Sequence, residues 1–235
     1  MPRKPRILID GMALHIVQRG VDRNATFFDT EDYLHYLELL REAGELFDLQ
    51  IHAYCLMTNH IHLLLTPVQA SDLPRAMKRL TQLYVQRVNR IYSRSGPLWA
   101  GRYKASLVGS ANYLLSCYRY VELNPVRAKM VEHPVDYPWS SYKHNSGKCP
   151  SSLITPHPVY YGLGADPLAR QQSHLSLIND GVDNRVLEQI RDATSQGFPL
   201  GDSLFLEQIE EMIGRRLELK HPGRPSKLSL GLRQK

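Results

Sequence analysis

Two β-prone apolar runs, Ile51 to Met57 and His60 to Thr66, are separated only by Thr58-Asn59, and no other feature of the 235-residue sequence restricts the fold as strongly. A two-residue connection closes an antiparallel hairpin. The second run alternates, so Ile61, Leu63 and Leu65 share one face while His60, His62 and Leu64 share the other. Around this hairpin the sequence predicts further elements. Residues 13 to 18 form a strand closed by Arg19-Gly20. Thr30 caps a helix carrying Tyr33, Leu37, Leu40 and Phe47 at helical spacing, with Leu34 beside them, that ends near Asp48. Asp72 caps a longer helix whose stripe is Met77, Leu80, Tyr84, Val88 and Ile91, stopped by Ser95-Gly96-Pro97. Leu98 to Val108 is a fourth strand, and Ser110 caps a third helix from Ala111 to about Leu123, which Asn124-Pro125 ends or bends.

The order β-α-β-β-α-β-α predicts an α+β fold: a ferredoxin-like four-stranded antiparallel sheet with two helices on one face and the third helix on the other. Beyond residue 145 the texture changes, with Pro150, Pro156, Pro158 and Pro167 and a Ser/Gly-rich opening. A boundary there gives residues 1–145 as one domain and residues 146–235 as a linker, a mainly helical extension and a basic tail. Helical patterns in the extension run from Arg185 to Ser195 and from Asp202 to Leu217. In the tail, Gly223-Arg224-Pro225 has the core of a minor-groove AT-hook peptide, set against the simpler reading of a disordered charged segment.

At 43% hydrophobic and 22% charged residues, the chain has the makings of a folded core rather than a disordered polymer. A net charge of +6 favours polyanionic partners, nucleic acid before acidic membrane, because no amphipathic basic helix stands out. Cys55, Cys117 and Cys149 are odd in number and widely spaced, which fits a reducing cytoplasm and neither a disulfide framework nor a zinc ribbon. The first apolar stretch is broken at Asp10-Gly11, too short for a signal-peptide core, and no run reaches the roughly 18 apolar residues that cross a bilayer.

His60 and His62, one residue apart on a strand, leave the same face and are placed to share one ion; the alternative is polar cover on a half-exposed sheet. On the third helix Tyr113, Cys117, Tyr120 and Asn124 form one stripe, and Leu114, Tyr118 and Val121 another. If the apolar stripe packs, Tyr120 and Asn124 offer a hydroxyl and an amide oxygen to one place, although Pro125 pushes Asn124 away from helical geometry. Tyr118 lies nearly opposite Tyr120 around the helix, so only one of the two can face the histidines. Arg19, Arg23, Lys78, Arg79, Arg87, Arg90, Arg102, Lys104, Arg119 and Arg127 are candidate phosphate contacts. Trp99-Ala100-Gly101-Arg102-Tyr103-Lys104 interleaves aromatics with cations, as single-strand binding surfaces do, or else its aromatics belong to the core.

The His60-Ile61-His62 strand, the Arg119-Tyr120-Val121-Glu122-Leu123-Asn124-Pro125-Val126-Arg127-Ala128 block and the Pro138-Trp139-Ser140-Ser141-Tyr142 segment resemble the single-tyrosine HUH transposases, and within them the REP-associated tyrosine transposases. The resemblance covers about residues 7 to 145. It implies a metal-dependent enzyme that cleaves and rejoins single-stranded DNA through a 5′-phosphotyrosine intermediate, beside a short hairpin such as a repetitive extragenic palindrome. By that resemblance His60 and His62 are metal ligands, Asn124 the third ligand, Tyr120 the nucleophile and Tyr118 its rival. The ion implied is Mg²⁺ or Mn²⁺; imidazole softness favours Mn²⁺ and cellular abundance Mg²⁺. Competing readings are a hairpin-binding module of the same fold that does not cut, and a hydrolase that uses water in place of tyrosine. The resemblance admits both a monomer and a homodimer, and no membrane partner is implied.

Overall fold

Strand alternation sorts the sheet residues into two sets, and in the computed structural model, which describes residues 5–217, each set is buried against a different helical layer. The elements that define the sheet are β1 (Leu14–Arg19), α1 (Thr30–Leu46), β2 (Leu49–Met57), β3 (His60–Pro67), α2 (Asp72–Ile91) and β4 (Lys104–Leu107). The strands pair in the order β2-β3-β1-β4, all antiparallel, which is the ferredoxin-like arrangement. Met57 pairs with His60 across Thr58-Asn59, so the hairpin closes where the spacing demanded.

On one face Leu14, Ile16, Ile51, Ile61, Leu63 and Leu65 pack against α1 and α2. From α2 come Met77, Leu80, Tyr84 and Val88, as the periodicity predicted, while Ile91 at the helix end is exposed. From α1 the fully buried set is Tyr36, Leu39, Leu40 and Ala43, and Leu34 faces outward. Tyr33, Leu37 and Phe47 of the predicted stripe pack partly buried against the same core. Asp29, not Thr30, is the N-cap, and the buried Asp32 carboxylate reaches back to accept from the Phe28 and Asp29 amides at 2.9 and 3.2 Å and from the Tyr92 hydroxyl at 2.9 Å. Similarly Ser71 takes the N-cap position of α2, and Asp72 sits inside the first turn, paired with Arg75. The fourth strand is shorter than its predicted span. Residues 98–103 turn over the sheet edge, with Gly101 at φ +156 and a lone bridge between Gly20 and Trp99.

The opposite sheet face, lined by Ala53, Cys55, Met57 and Leu64, receives α3 (Ala111–Glu122) through Leu114, Cys117, Tyr118 and Val121. After it come the short turns α4 (Asn124–Arg127), α5 (Tyr142–Asn145) and α6 (Pro158–Tyr161), then α7 (Pro167–Asn179), α8 (Asn184–Gln196) and α9 (Ser203–Ile213). Two of the prolines that suggested a linker instead open helices. Pro158 follows the His157 N-cap and Pro167 the Asp166 N-cap, where a missing N–H costs nothing. The extension is therefore helical from Pro158 onward, and it shares the core. Leu187, Ile190 and Ala193 of α8 join the α3 side, and Phe205 and Ile209 of α9 join the α1–α2 side. A Cβ at Gly109 would fall 2.4 Å from the Phe205 ring, so that contact depends on glycine. Leu200 donates to Leu107 O at 2.7 Å and accepts from Gly109 N at 2.8 Å. The Gly223-Arg224-Pro225 tripeptide lies outside the described residues. Among the described residues no helix is long and apolar enough to cross a membrane.

Glu122, fully buried at the end of α3, holds the extension to the sheet layer. Its Oε1 accepts from Ser141 Oγ and Asn145 Nδ2, both at 2.6 Å, and its Oε2 lies 2.8 Å from His174 Nε2 on α7. Replacing Glu122 by Ala takes a partner from three buried polar groups, leaving His174 Nε2 with none and Ser141 and Asn145 with only longer bonds to Tyr54 O and His52 O, and urea denaturation is expected to record a loss of about 3 kcal/mol. His52 on β2 supplies a second test. Its Nδ1 donates to Thr155 O at 2.7 Å and its Nε2 accepts from Thr66 Oγ1 at 2.9 Å, an arrangement that needs the neutral ring. Burial pushes its pKa down to about 4, the Thr155 bond opposing and His157 adding to the shift. Because the unfolded ring titrates near 6.5, the stabilisation is complete above that pH and is lost as pH falls toward 4, by about 3 kcal/mol in all. Unfolding free energies at pH 7 and pH 4.5 should differ less in His52→Gln than in the native chain.

Candidate active site

β3 carries His60 and His62 on the α3 side of the sheet, and the antiparallel register sets Arg19 opposite His60 and Val17 opposite His62. One step diagonally along β1, His15 reaches the same face, and its ring lies nearly parallel to that of His62 at 5.2 Å between centroids. The Tyr120 ring of α3 meets both edge-on, 5.4 Å from His15 and 5.5 Å from His62. His60 completes the group, 5.0 Å from His62. Tyr118 takes the other direction. It packs between Tyr160 and His174, with its hydroxyl accepting from His157 N at 3.4 Å, and burial raises its pKa. α3 thus turns Tyr120 to the histidines and Tyr118 into the core.

The break falls one residue before the position that Pro125 is expected to disturb, and Asn124 stays helical. Leu123 departs from helical geometry at φ −85 and ψ 2, and Asn124 opens α4 with its Nδ2 enclosed and without a hydrogen-bond partner. α4 then delivers Arg127 beneath the tyrosine. The guanidinium carbon lies 4.5 Å from the Tyr120 ring centroid, Nη2 donates to Tyr120 O, and Nη1 is buried and unpaired. Burial lowers the Arg127 pKa to about 10, with Tyr120 opposing the shift and Arg191 adding to it.

All three imidazoles are held neutral. Burial brings His60 down to about 4, helped by Arg19, and His15 down to about 3, helped by Arg127; His62 is driven well below its ordinary value by burial and then by its neighbours His15 and His60. Neutral rings keep the lone pair that a cation needs. His60 Nδ1 is 2.6 Å from Asn59 Oδ1 and His62 Nδ1 is 3.0 Å from His15 Nε2, so Nε2 of each ring stands outside these contacts. Among the described residues no cluster of three or more His, Cys, Asp or Glu side chains is placed to hold a metal. Two imidazoles supplemented by an amide oxygen suit a borderline divalent ion; at Asn124 the atom left without a partner is the amide nitrogen, a donor, so only its oxygen could serve as such a ligand.

The cations divide by location. Arg19 and Lys104 are exposed on the face that carries the histidines, Lys104 being paired with Val17. Arg23 is exposed in the turn Val21–Arg23, where its carbonyl accepts from Asn59 Nδ2, and Arg102 is exposed beside β4. Arg87, with Lys78, Arg79 and Arg90, belongs to α2 on the far side of the sheet. Arg119 is bound to the extension through Gly181 O at 2.7 Å and to Ser116 Oγ at 3.1 Å. Tyr103 and Trp99 are both buried, and the Tyr103 ring is already covered by the Arg6 guanidinium at 3.7 Å, so neither is an open stacking platform. Sequence reasoning missed His15, Thr194, whose hydroxyl lies 2.8 Å from His15 Nδ1, and Arg191, which acts on Arg127. Alternation put His15 on the outward side of β1, a signal that was there to use; nothing in the sequence linked α8 to the site.

The IS200-like transposase family model matches residues 9–124. No curated protein matches the chain at a significant level. Among solved structures, the chain is similar to a REP-associated tyrosine transposase bound to a REP hairpin, at 15% identity and a TM-score of 0.56, over 68% of this chain and 93% of that one. A candidate transposase from Deinococcus radiodurans R1 aligns at 19% identity over 58% of this chain and 98% of that one, with a TM-score of 0.35 that does not establish a shared fold. Residues 9–124, which hold the whole ferredoxin-like sheet and α3, match the IS200-like transposase family.

Proposed function

We propose that this chain cleaves and rejoins single-stranded DNA, with Tyr120 as the nucleophile and His60, His62 and Asn124 as the ligands of a divalent ion, Mg²⁺ or Mn²⁺. The observation that carries the reading is the approach of the Tyr120 ring to within 5.5 Å of the His62 ring, with Tyr118 turned away. A bound ion would supply Lewis-acid polarisation of a non-bridging phosphate oxygen. The Tyr120 hydroxyl loses its proton as its oxygen bonds to phosphorus, and the departing 3′-oxygen gains one. The ester formed at the 5′-phosphate retains the energy of the broken linkage, so attack by a 3′-hydroxyl restores both DNA and tyrosine without ATP. Arg127 provides a fixed positive charge beside the tyrosine, where negative charge develops.

Arg19 and Lys104, with Arg23 and Arg102 at the margins, are the phosphate contacts of this reading, because they are exposed and Arg19 and Lys104 share the histidine face. The similar REP-associated transposase is bound to a REP hairpin, and a hairpin flanked by single strand is the substrate class assigned here. The proposed nucleophile and metal ligands all lie within residues 1–145, and the protein works in the cytoplasm, where its three cysteines stay reduced.

Incubated with a labelled hairpin oligonucleotide and Mn²⁺, the protein is expected to give a covalent protein-DNA band on a denaturing gel. EDTA should abolish it, Tyr120→Phe should lower it on the order of 10³-fold or more, and Tyr118→Phe should leave it in place. Cleavage that survives Tyr120→Phe would transfer the role to Tyr118 or to water, and binding without cleavage of a cognate site would leave a passive hairpin-binding module. In a salt titration, Arg19→Ala and Lys104→Ala should each reduce the slope of log affinity against log salt by about 0.7, the value for one phosphate contact to a single strand. An unchanged slope would remove these two residues from the DNA path.

A further inference from the structure

A chain of three short contacts runs from the helical extension into the site. Thr194 Oγ1 on α8 lies 2.8 Å from Ile190 O and 2.8 Å from His15 Nδ1, and His15 Nε2 lies 3.0 Å from His62 Nδ1. His15, His62 and Thr194 are all buried. Each contact needs one hydrogen between its two heavy atoms, and the available hydrogens are three: one on the threonine hydroxyl and one on each neutral imidazole. Ile190 O has none to give, so the threonine hydrogen must point there. Thr194 Oγ1 then accepts from His15, which fixes the His15 proton on Nδ1 and leaves Nε2 as an acceptor. His62 fills that acceptor from Nδ1, and its own Nε2 is left bare. The reverse order would set Thr194 Oγ1 and Ile190 O at 2.8 Å with no hydrogen between them, two partial negative charges in a buried place.

His60 reaches the same state by a separate route. Asn59 Nδ2 donates to Arg23 O at 2.8 Å, which identifies the other amide atom as oxygen, and that oxygen can only accept from His60 Nδ1 at 2.6 Å. Both rings therefore present an unprotonated Nε2.

We propose that His15 and Thr194 are positioning residues of the active site, which lock His62 in the Nδ1–H tautomer so that its Nε2 lone pair is reserved for the catalytic cation. The proposal rests on the metal-site reading above, and it makes the extension part of the active site, because Thr194 lies 132 residues beyond His62 in sequence. Partners that hold a metal-binding imidazole in one tautomer and orientation typically change metal affinity by 10- to 100-fold when removed.

The test uses the full chain labelled with ¹⁵N-histidine and free of metal, with His62 assigned by its loss in His62→Gln. Long-range ¹⁵N–¹H spectra should show the His62 proton on Nδ1. Thr194→Val, which keeps the shape and removes the hydroxyl, should produce a mixture of tautomers, and Thr194→Ser should restore the native pattern. In parallel, electron paramagnetic resonance of free Mn²⁺ should show roughly 10- to 100-fold weaker binding in Thr194→Val and near-native binding in Thr194→Ser. A native His62 protonated on Nε2 overturns the proposal, as does a Thr194→Val protein with native tautomers and native Mn²⁺ affinity. If Thr194→Val does not fold, the native spectrum and the Thr194→Ser spectrum decide alone. Failure of the metal reading looks different: His60→Ala and His62→Gln would then leave Mn²⁺ binding unchanged while the tautomer of native His62 stayed on Nδ1.

Discussion

The antiparallel pairing of β1 with β3 is the contact on which the rest of the site depends. It sets Val17 against His62 and Arg19 against His60, and the twofold alternation of both strands then sends His15, Arg19, His60 and His62 to one side. A one-residue slip would exchange these polar groups with Ile16, Ile61 and Leu63, whose burial against α1 and α2 is complete. The hydrophobic layer on one face thus holds the chemistry in register on the other. The same backbone hydrogen bonds serve both faces.

Much of this was legible in the sequence because the dominant signals were local. The two-residue spacing of the hairpin, the period of α2 and the alternation of β3 each depend on neighbours within one element, and each appears where the periodicity put it. Which of the two tyrosines faces the histidines was legible for the same reason. Two positions along a helix are about 200° of rotation, so burying Tyr118 against Tyr160 and His174 left Tyr120 on the opposite side. Boundaries fared less well wherever a side chain reached back to compete for the helix end, as Asp32 does at α1.

What the sequence could not yield was long-range. The α7 helix was hidden because Pro167 looks like a breaker until an N-cap such as Asp166 is placed before it. The aromatic-cationic stretch from Trp99 to Lys104 had the composition of a nucleic-acid surface, and only tertiary packing shows the aromatics enclosed. Thr194 gave no signal at all: its contact with His15 spans 179 residues and is created by α8 settling on β1 and β4. His15 itself was a histidine on a strand among apolar neighbours, and its meaning lay in the strand beside it.

Two positions past Tyr120, the carboxylate of Glu122 is tethered by groups from Ser141, Asn145 and His174, three separate stretches of chain. Such a tether works as a stator. Rolling the helix to swing the phenol outward would drag a buried carboxylate away from all of its partners, so the Tyr120 hydroxyl sits on a fixed mount, and under the proposed chemistry the approach would fall to the nucleic acid.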